Sequence, residues 1–171
     1  NVIYDDIIMN SDHKIKTGLS YNYIDIFQAT SDSLTGNRIE NVPGSFFEYT
    51  YTGPRFTSVI GARYDYHLIF GEQFVPRVHL KYKLTERSDI RFTSGKGWRI
   101  PNYIIDNVSL LANSFTWISP DEIRPEVSWN VGGSVFQEFK MKHSPATLTV
   151  DFYRTWFENQ LVVDRENNQV R

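Results

Sequence analysis

The feature that most constrains this chain is its period-two alternation. In RFTSVIGARYDYHLIF (55–70), Phe56, Ile60, Ala62, Tyr64, Tyr66 and Leu68 alternate with Arg55, Thr57, Gly61, Arg63, Asp65 and His67. Side chains two apart share a face only in an extended strand, so this pattern demands a sheet with one apolar and one polar side. The same rhythm recurs along the chain. Ile15, Leu19, Tyr21 and Tyr23 oppose Lys14, Lys16, Gly18, Ser20 and Asn22. Val78, Leu80, Tyr82 and Leu84 oppose Arg77, His79, Lys81 and Lys83. Ile90 and Phe92 oppose Arg91, Thr93, Gly95 and Gly97. Val127, Trp129, Val131, Val135 and Phe139 oppose Ser128, Asn130, Gly132, Ser134 and Glu138. Leu148, Val150 and Phe152 oppose Thr147, Thr149, Asp151 and Tyr153. A shorter strand at 46–52 and one at 2–8 bring the total to about eight. Only 103–112 shows a weak helical pattern.

The connections add the topology. Links at 9–12, 52–54, 85–88 and 141–145 are tight. Those over 29–45 and 98–124 read as long loops, and one near 70–75 as intermediate. Tight turns at one end and long loops at the other describe an antiparallel up-and-down meander, the plan of an outer-membrane β-barrel. Phe56 and Tyr66 lie on one face ten positions apart, or roughly 33 Å of strand. A tilt of about 40° projects this to roughly 25 Å, the apolar height of such barrels. Tyr21, Tyr23, Tyr64 and Tyr66 fall near the loop ends, where an aromatic girdle belongs. In a barrel the apolar side chains meet lipid and the charged ones line the lumen. A soluble β-sandwich places the same charges in water, with an aromatic surface that holds a carbohydrate or a protein. Alternation alone does not separate the two.

Composition narrows the rest. A net charge of −2 gives no basic surplus for nucleic acid. The absence of cysteine removes disulfides and thiolate metal sites. No run of about 18 apolar residues offers a helical span, and no signal peptide is visible. The chain begins at Asn1 without an initiating Met, so it is expected to be a piece of a longer protein.

No chemistry-bearing motif stands out. Gly95-Lys96-Gly97 lacks the phosphate-loop pattern, and its glycines suit the polar side of a strand. His13, His67, His79 and His143 have no shared metal-ligand spacing, although His67 lies near Asp65. Asp5/Asp6 and Asp121/Glu122 are sequence neighbours that a strand would point to opposite faces. Asn107-Val108-Ser109 is a glycosylation sequon without meaning in a bacterial outer membrane. No enzyme activity, cofactor or metal is expected. Tyr103, Phe115 and Trp117 in the long loop are candidates to grip a ligand.

Taken in order, several pieces carry a family likeness. They are G-x-R-Y-D at 61–65, P-R at 76–77, S-G-x-G-W-R-x-P at 94–101, P-E-x-S-W-N at 125–130 and F-x-N-Q at 157–160. Together they resemble the barrel of TonB-dependent outer-membrane receptors, in the version common in Bacteroidetes-type bacteria. The resemblance implies that residues 1–171 are part of a barrel of about 22 strands. On that resemblance the N-terminal plug domain and the remaining strands are expected to lie outside this sequence. It also implies an outer-membrane transport receptor for a scarce nutrient such as a ferric siderophore. Its partners would be the plug, the TonB energy-transducing complex reached through the plug, outer-membrane lipid and the nutrient. Arg63, Asp65, Arg77, Arg91 and Glu126 would face the lumen and plug. Arg99, Tyr103 and Trp117 would meet ligand at the extracellular loops. Many relatives carry a glutamate where this chain has Gly132, which leaves Glu126 as the better plug contact. A slice of barrel has open edges, which lipid does not tolerate, so the isolated fragment is expected not to transport.

Overall fold

The alternating segments all form strands. In chain order these are β1 (Val2–Ile7), β2 (His13–Ala29), β3 (Thr35–Thr52), β4 (Phe56–His67), β5 (Gly71–Thr85), β6 (Ser88–Arg99), β7 (Thr116–Trp117), β8 (Glu126–Lys140), β9 (Pro145–Asn159), β10 (Arg165–Glu166) and β11 (Gln169–Val170). This computed structural model describes residues 2–7, 12–29, 35–102, 106, 116–117, 123–141, 144–162, 165–166 and 169–170.

Eight strands make one sheet in the order β1-β2-β3-β4-β5-β6-β8-β9, and every pairing in it is antiparallel. The meander is therefore as expected. The sheet is open, because β1 and β9 each have a single neighbour. β10, β11 and β7 form a separate three-stranded sheet. Among the described residues no second large sheet covers either face, so they do not pack as a β-sandwich.

Two links differ from expectation. Most of 29–45 is strand rather than loop: β3 pairs with β2 from Ala29↔Thr35 to His13↔Tyr51. The short strand expected at 46–52 is thus one end of an 18-residue strand. The β3–β4 ladder stops at Gly44↔Asp65, so beyond it β2 and β3 run on as a two-stranded ribbon. Backbone hydrogen bonds hold such a ribbon, and no apolar alternation is needed to specify it. The link near 70–75 is also shorter than it reads. Leu68–Phe70 form a tight turn, followed by Gly71 at a φ of 72° that favours glycine. His67 caps this turn, its Nδ1 accepting from the backbone N–H of Ile69 at 3.1 Å and Phe70 at 3.2 Å. Residues 100–125 separate β6 from β8 and include β7.

The strand prolines mark where ladders end. Pro43 lies one residue beyond the β3–β4 ladder, and Pro76 one residue beyond the β5–β6 ladder, which stops at Arg77↔Gly95. Proline has no N–H to donate, so it suits a place where a neighbour has departed. At this end the sheet separates into the hairpins β2–β3 and β4–β5 and the three strands β6, β8 and β9.

The two faces differ sharply in chemistry. One carries Leu19, Ile60, Phe74, Tyr82, Phe92, Val150 and Phe152, all exposed. Tyr64, Tyr66 and Phe74 gather toward the separated end of this apolar face, and Tyr51, Phe56 and Tyr82 toward the tight-turn end. The other face collects the charges. Only Val42 and Val127 are buried apolar residues among those described.

Candidate functional site

The candidate site is the charged face. It is built by strand parity, since cross-strand partners share a face. Near the tight turns Lys81 stands directly opposite Arg91. Two like charges in that position repel. Asp89, two residues before Arg91, answers both: Arg91 Nε lies 2.8 Å from its Oδ1 and Lys81 Nζ 3.1 Å from its Oδ2.

Midway along the strands Arg77 reaches Glu48 across β4. Gly61 pairs with both residues' strands at this level, and its missing side chain gives the arginine its path. A Cβ at 61 would come 3.2 Å from Arg77 Nε.

At the separated end, the Asp65 carboxylate lies over Gly44, where a Cβ would overlap it. Asp65 is 3% exposed. It accepts from Arg63 Nε at 2.7 Å and from Trp98 Nε1 at 3.2 Å. The Trp98 ring also meets His67 edge-on. Trp98 thereby ties β6 to the β4–β5 hairpin beyond the last β5–β6 backbone pair. Asn22, Glu40, Val42, Arg63, Trp98 and Arg99 line a recess of about 440 Å³ here.

A second clamp holds the ends of the 100–125 segment. Arg99 and Glu126 are cross-strand partners, with Nε 2.5 Å from Oε2. Arg99 also lies 3.4 Å from Asp106, early in the segment. Glu126 accepts the Leu161 backbone N–H at 2.9 Å.

These pairs share one asymmetry. In the Arg63–Asp65 and Arg99–Glu126 pairs the arginine side chains are 46% and 62% exposed and the carboxylates 4% and 8%. The carboxylates lie under the guanidinium groups, so the face presents arginine edges.

Of the residues singled out in the sequence, Arg63, Asp65, Arg77, Arg91 and Glu126 all lie on this face, each in an ion pair. They spread along its length rather than forming one centre. Arg99 is the last residue of β6, not a loop residue proper. Trp117 is in β7, its side chain outside the described residues. Tyr103, Phe115, His143, Asn107–Ser109 and Asp121/Glu122 also lie outside them. His67 is 1% exposed and engaged by its turn, which leaves it no reach toward a ligand.

Sequence reasoning missed Glu48, Asp89 and the Trp98 bridge. Parity would have placed Glu48, because Phe47 and Tyr49 on either side are apolar-face residues. It also missed why Gly132 is glycine. The ring of its cross-strand partner Tyr153 occupies the space of a Cβ, and Thr93 Cγ2 lies 3.0 Å from that point. With Tyr153 in this position, a side chain at 132 would clash with its ring.

A family model described as TonB dependent receptor-like, beta-barrel matches residues 4–171. No curated protein matches the chain significantly. Among solved structures it is similar to the siderophore receptor PirA from Pseudomonas aeruginosa, at 17% identity and a TM-score of 0.71, over 99% of this chain and 32% of that one. It is also similar to a mutant of the ferric enterobactin receptor PfeA from Pseudomonas aeruginosa in complex with enterobactin. There the identity is 14% and the TM-score 0.72, over 98% of this chain and 29% of that one. The chain thus spans about a third of the length of these receptors, and the likeness establishes the fold. With the family model covering nearly its whole length, the chain belongs to the TonB-dependent receptor β-barrel family.

Proposed function

We propose that residues 1–171 form a stretch of barrel wall in an outer-membrane receptor that imports a scarce nutrient, a ferric siderophore being the first candidate. Family membership supports a transport receptor rather than an enzyme. The observation that carries the reading is the inverted sheet. Large apolar side chains such as Phe152 at 68% and Ile60 at 51% exposure are arrayed outward, while the charges on the opposite face are paired. That arrangement is stable when the apolar face meets hydrocarbon and the charged face meets a protein-filled or watery lumen.

The arginine edges of the charged face suit an acidic partner. Arg63, Arg77 and Arg91 would meet carboxylates or carbonyls of the plug, with Asp65 and Glu126 holding the wall beneath. Arg99, Tyr103 and Trp117 would act at the mouth, where the 100–125 segment captures ligand before TonB, through the plug, drives release. The similar PirA and PfeA structures, described as siderophore and ferric enterobactin receptors, support that ligand class.

The test is fractionation and uptake with the full-length receptor. It is expected in the outer-membrane fraction, with ferric-siderophore uptake that stops when TonB is deleted. Recovery in the aqueous fraction without detergent would refute the membrane reading. Uptake that does not depend on TonB would refute the mechanism.

A further inference from the structure

Among the described side chains, the apolar face carries lysine and arginine at one corner alone. Among its strand residues with described side chains, the only two are Lys96 on β6 and Arg154 on β9. Both lie toward the end where the 100–125 segment leaves the sheet. On the other side of them the strands are apolar: Ile90 and Phe92 on β6, Val131 and Val135 on β8, Val150 and Phe152 on β9. Beside the two cations stands a cross-strand tryptophan pair, Trp129↔Trp156: Lys96 is directly opposite Trp129, and Arg154 is two residues before Trp156 on β9. The Arg154 guanidinium lies 4.8 Å from the centre of the Trp156 ring. Trp129 Nε1 donates to Glu158 Oε1 at 3.1 Å, which fixes its ring.

The contrast with the charged face is informative. There Arg63, Arg77, Arg91 and Arg99 each meet a carboxylate. Lys96 and Arg154 have no carboxylate partner among the described residues. Tryptophans at the edge of an apolar band mark the boundary between hydrocarbon and headgroups. Long cationic side chains beside them reach outward to that layer. The anion abundant there is phosphate, whose geometry suits the guanidinium fork. Two strand spacings separate β6 from β9, roughly 10 Å, within the span of one headgroup.

We propose that Lys96 and Arg154, framed by Trp129 and Trp156, bind the phosphorylated headgroup of an outer-leaflet lipid. The inference rests on the membrane reading above. The test uses the full-length receptor in mild detergent, offered a diphosphorylated glycolipid or its phosphate-free counterpart, with retained lipid counted by native mass spectrometry. The wild type is expected to prefer the phosphorylated lipid. Each of Lys96→Gln and Arg154→Gln should weaken its retention about fivefold, since one basic side chain near a charged lipid surface contributes about that factor. Arg154→Lys should keep most of the preference. Equal retention of the two lipids by the wild type would overturn the proposal. So would an unchanged preference in the double Gln variant, or Arg154→Lys as impaired as Arg154→Gln, which would mark packing on Trp156 alone. A receptor found outside the membrane fraction overturns the membrane reading and this proposal with it. One that inserts but shows no phosphate preference overturns this proposal alone.

Discussion

The two faces of the sheet are made by the same strands and held by the same ladders, yet they solve opposite problems. On the apolar face, large side chains stand side by side and exposed. On the charged face, each arginine of the site is matched by a carboxylate tucked beneath it. A soluble domain derives most of its stability from a buried core. Here two buried valines are all the apolar core that the described residues offer. The ladder supplies the architecture, and the surroundings decide which face is tolerable.

The strongest way to break that comparison is to put the same charge on each face of one strand. Ile60 and Val59 are adjacent on β4, and their partners Val78 and His79 differ in the same sense. In liposome-refolded full-length receptor, Ile60→Lys should cost about 2–4 kcal/mol in denaturant titration, the usual penalty near the middle of the lipid-facing band. Val59→Lys should cost under about 1 kcal/mol, as for a solvated position. Equal costs would end the assignment of the faces.

Asp65 tests whether the charged face is built or merely decorated. Its carboxylate joins Arg63 to Trp98 where the β5–β6 ladder has ended. Asp65→Ala should destabilise by about 1.5–3 kcal/mol, the range for losing hydrogen bonds to a buried charge. It should also shift Trp98 fluorescence toward that of a solvated indole. An unchanged spectrum would mean that the indole is held by packing against His67 alone.

How far the sequence foretold this follows from where side chains, rather than backbone, carry the specification. Strands such as β4 and β9 were legible because one face must be apolar along its whole length. The outer half of β3 was not, because TGNRIENVPGS has no apolar face and its pairing with β2 is a backbone matter. The turn at Leu68–Phe70 was hidden because its residues continue the apolar look of β4. For the site, alternation put Arg63, Asp65, Arg77 and Arg91 on one side but did not give their partners. Lys81 and Arg91 are directly opposite only because of a register shift between Lys83 and Thr85, which no residue pattern announces.

Gly132 sharpens the comparison at a single residue. Tyr153 lies where a side chain at 132 would go, so Gly132→Ala should cost about 1–3 kcal/mol through overpacking. In a Tyr153→Ser background the same change should be close to neutral. A double-mutant cycle checks this, because the coupling belongs to the pair and vanishes with the ring. Full cost in both backgrounds would place the requirement in Thr93 instead.

The smallest expected effect is at Arg77, and it separates the wall's own needs from those of its contents. The guanidinium is over half exposed in this wall and pairs with Glu48 across Gly61. As an exposed ion pair it should contribute under about 1 kcal/mol. Arg77→Gln is therefore expected to be nearly silent in a barrel produced without its plug. Glu48 is far less exposed than its partner, so Glu48→Gln should cost more than Arg77→Gln in that same plugless barrel. If the arginine edge meets an acidic group of the plug, Arg77→Gln will cost measurably more in the intact receptor, and denaturant titration of both forms gives the difference. An identical small cost in the two forms would remove Arg77 from the plug contact and leave Arg63 and Arg91 to carry it.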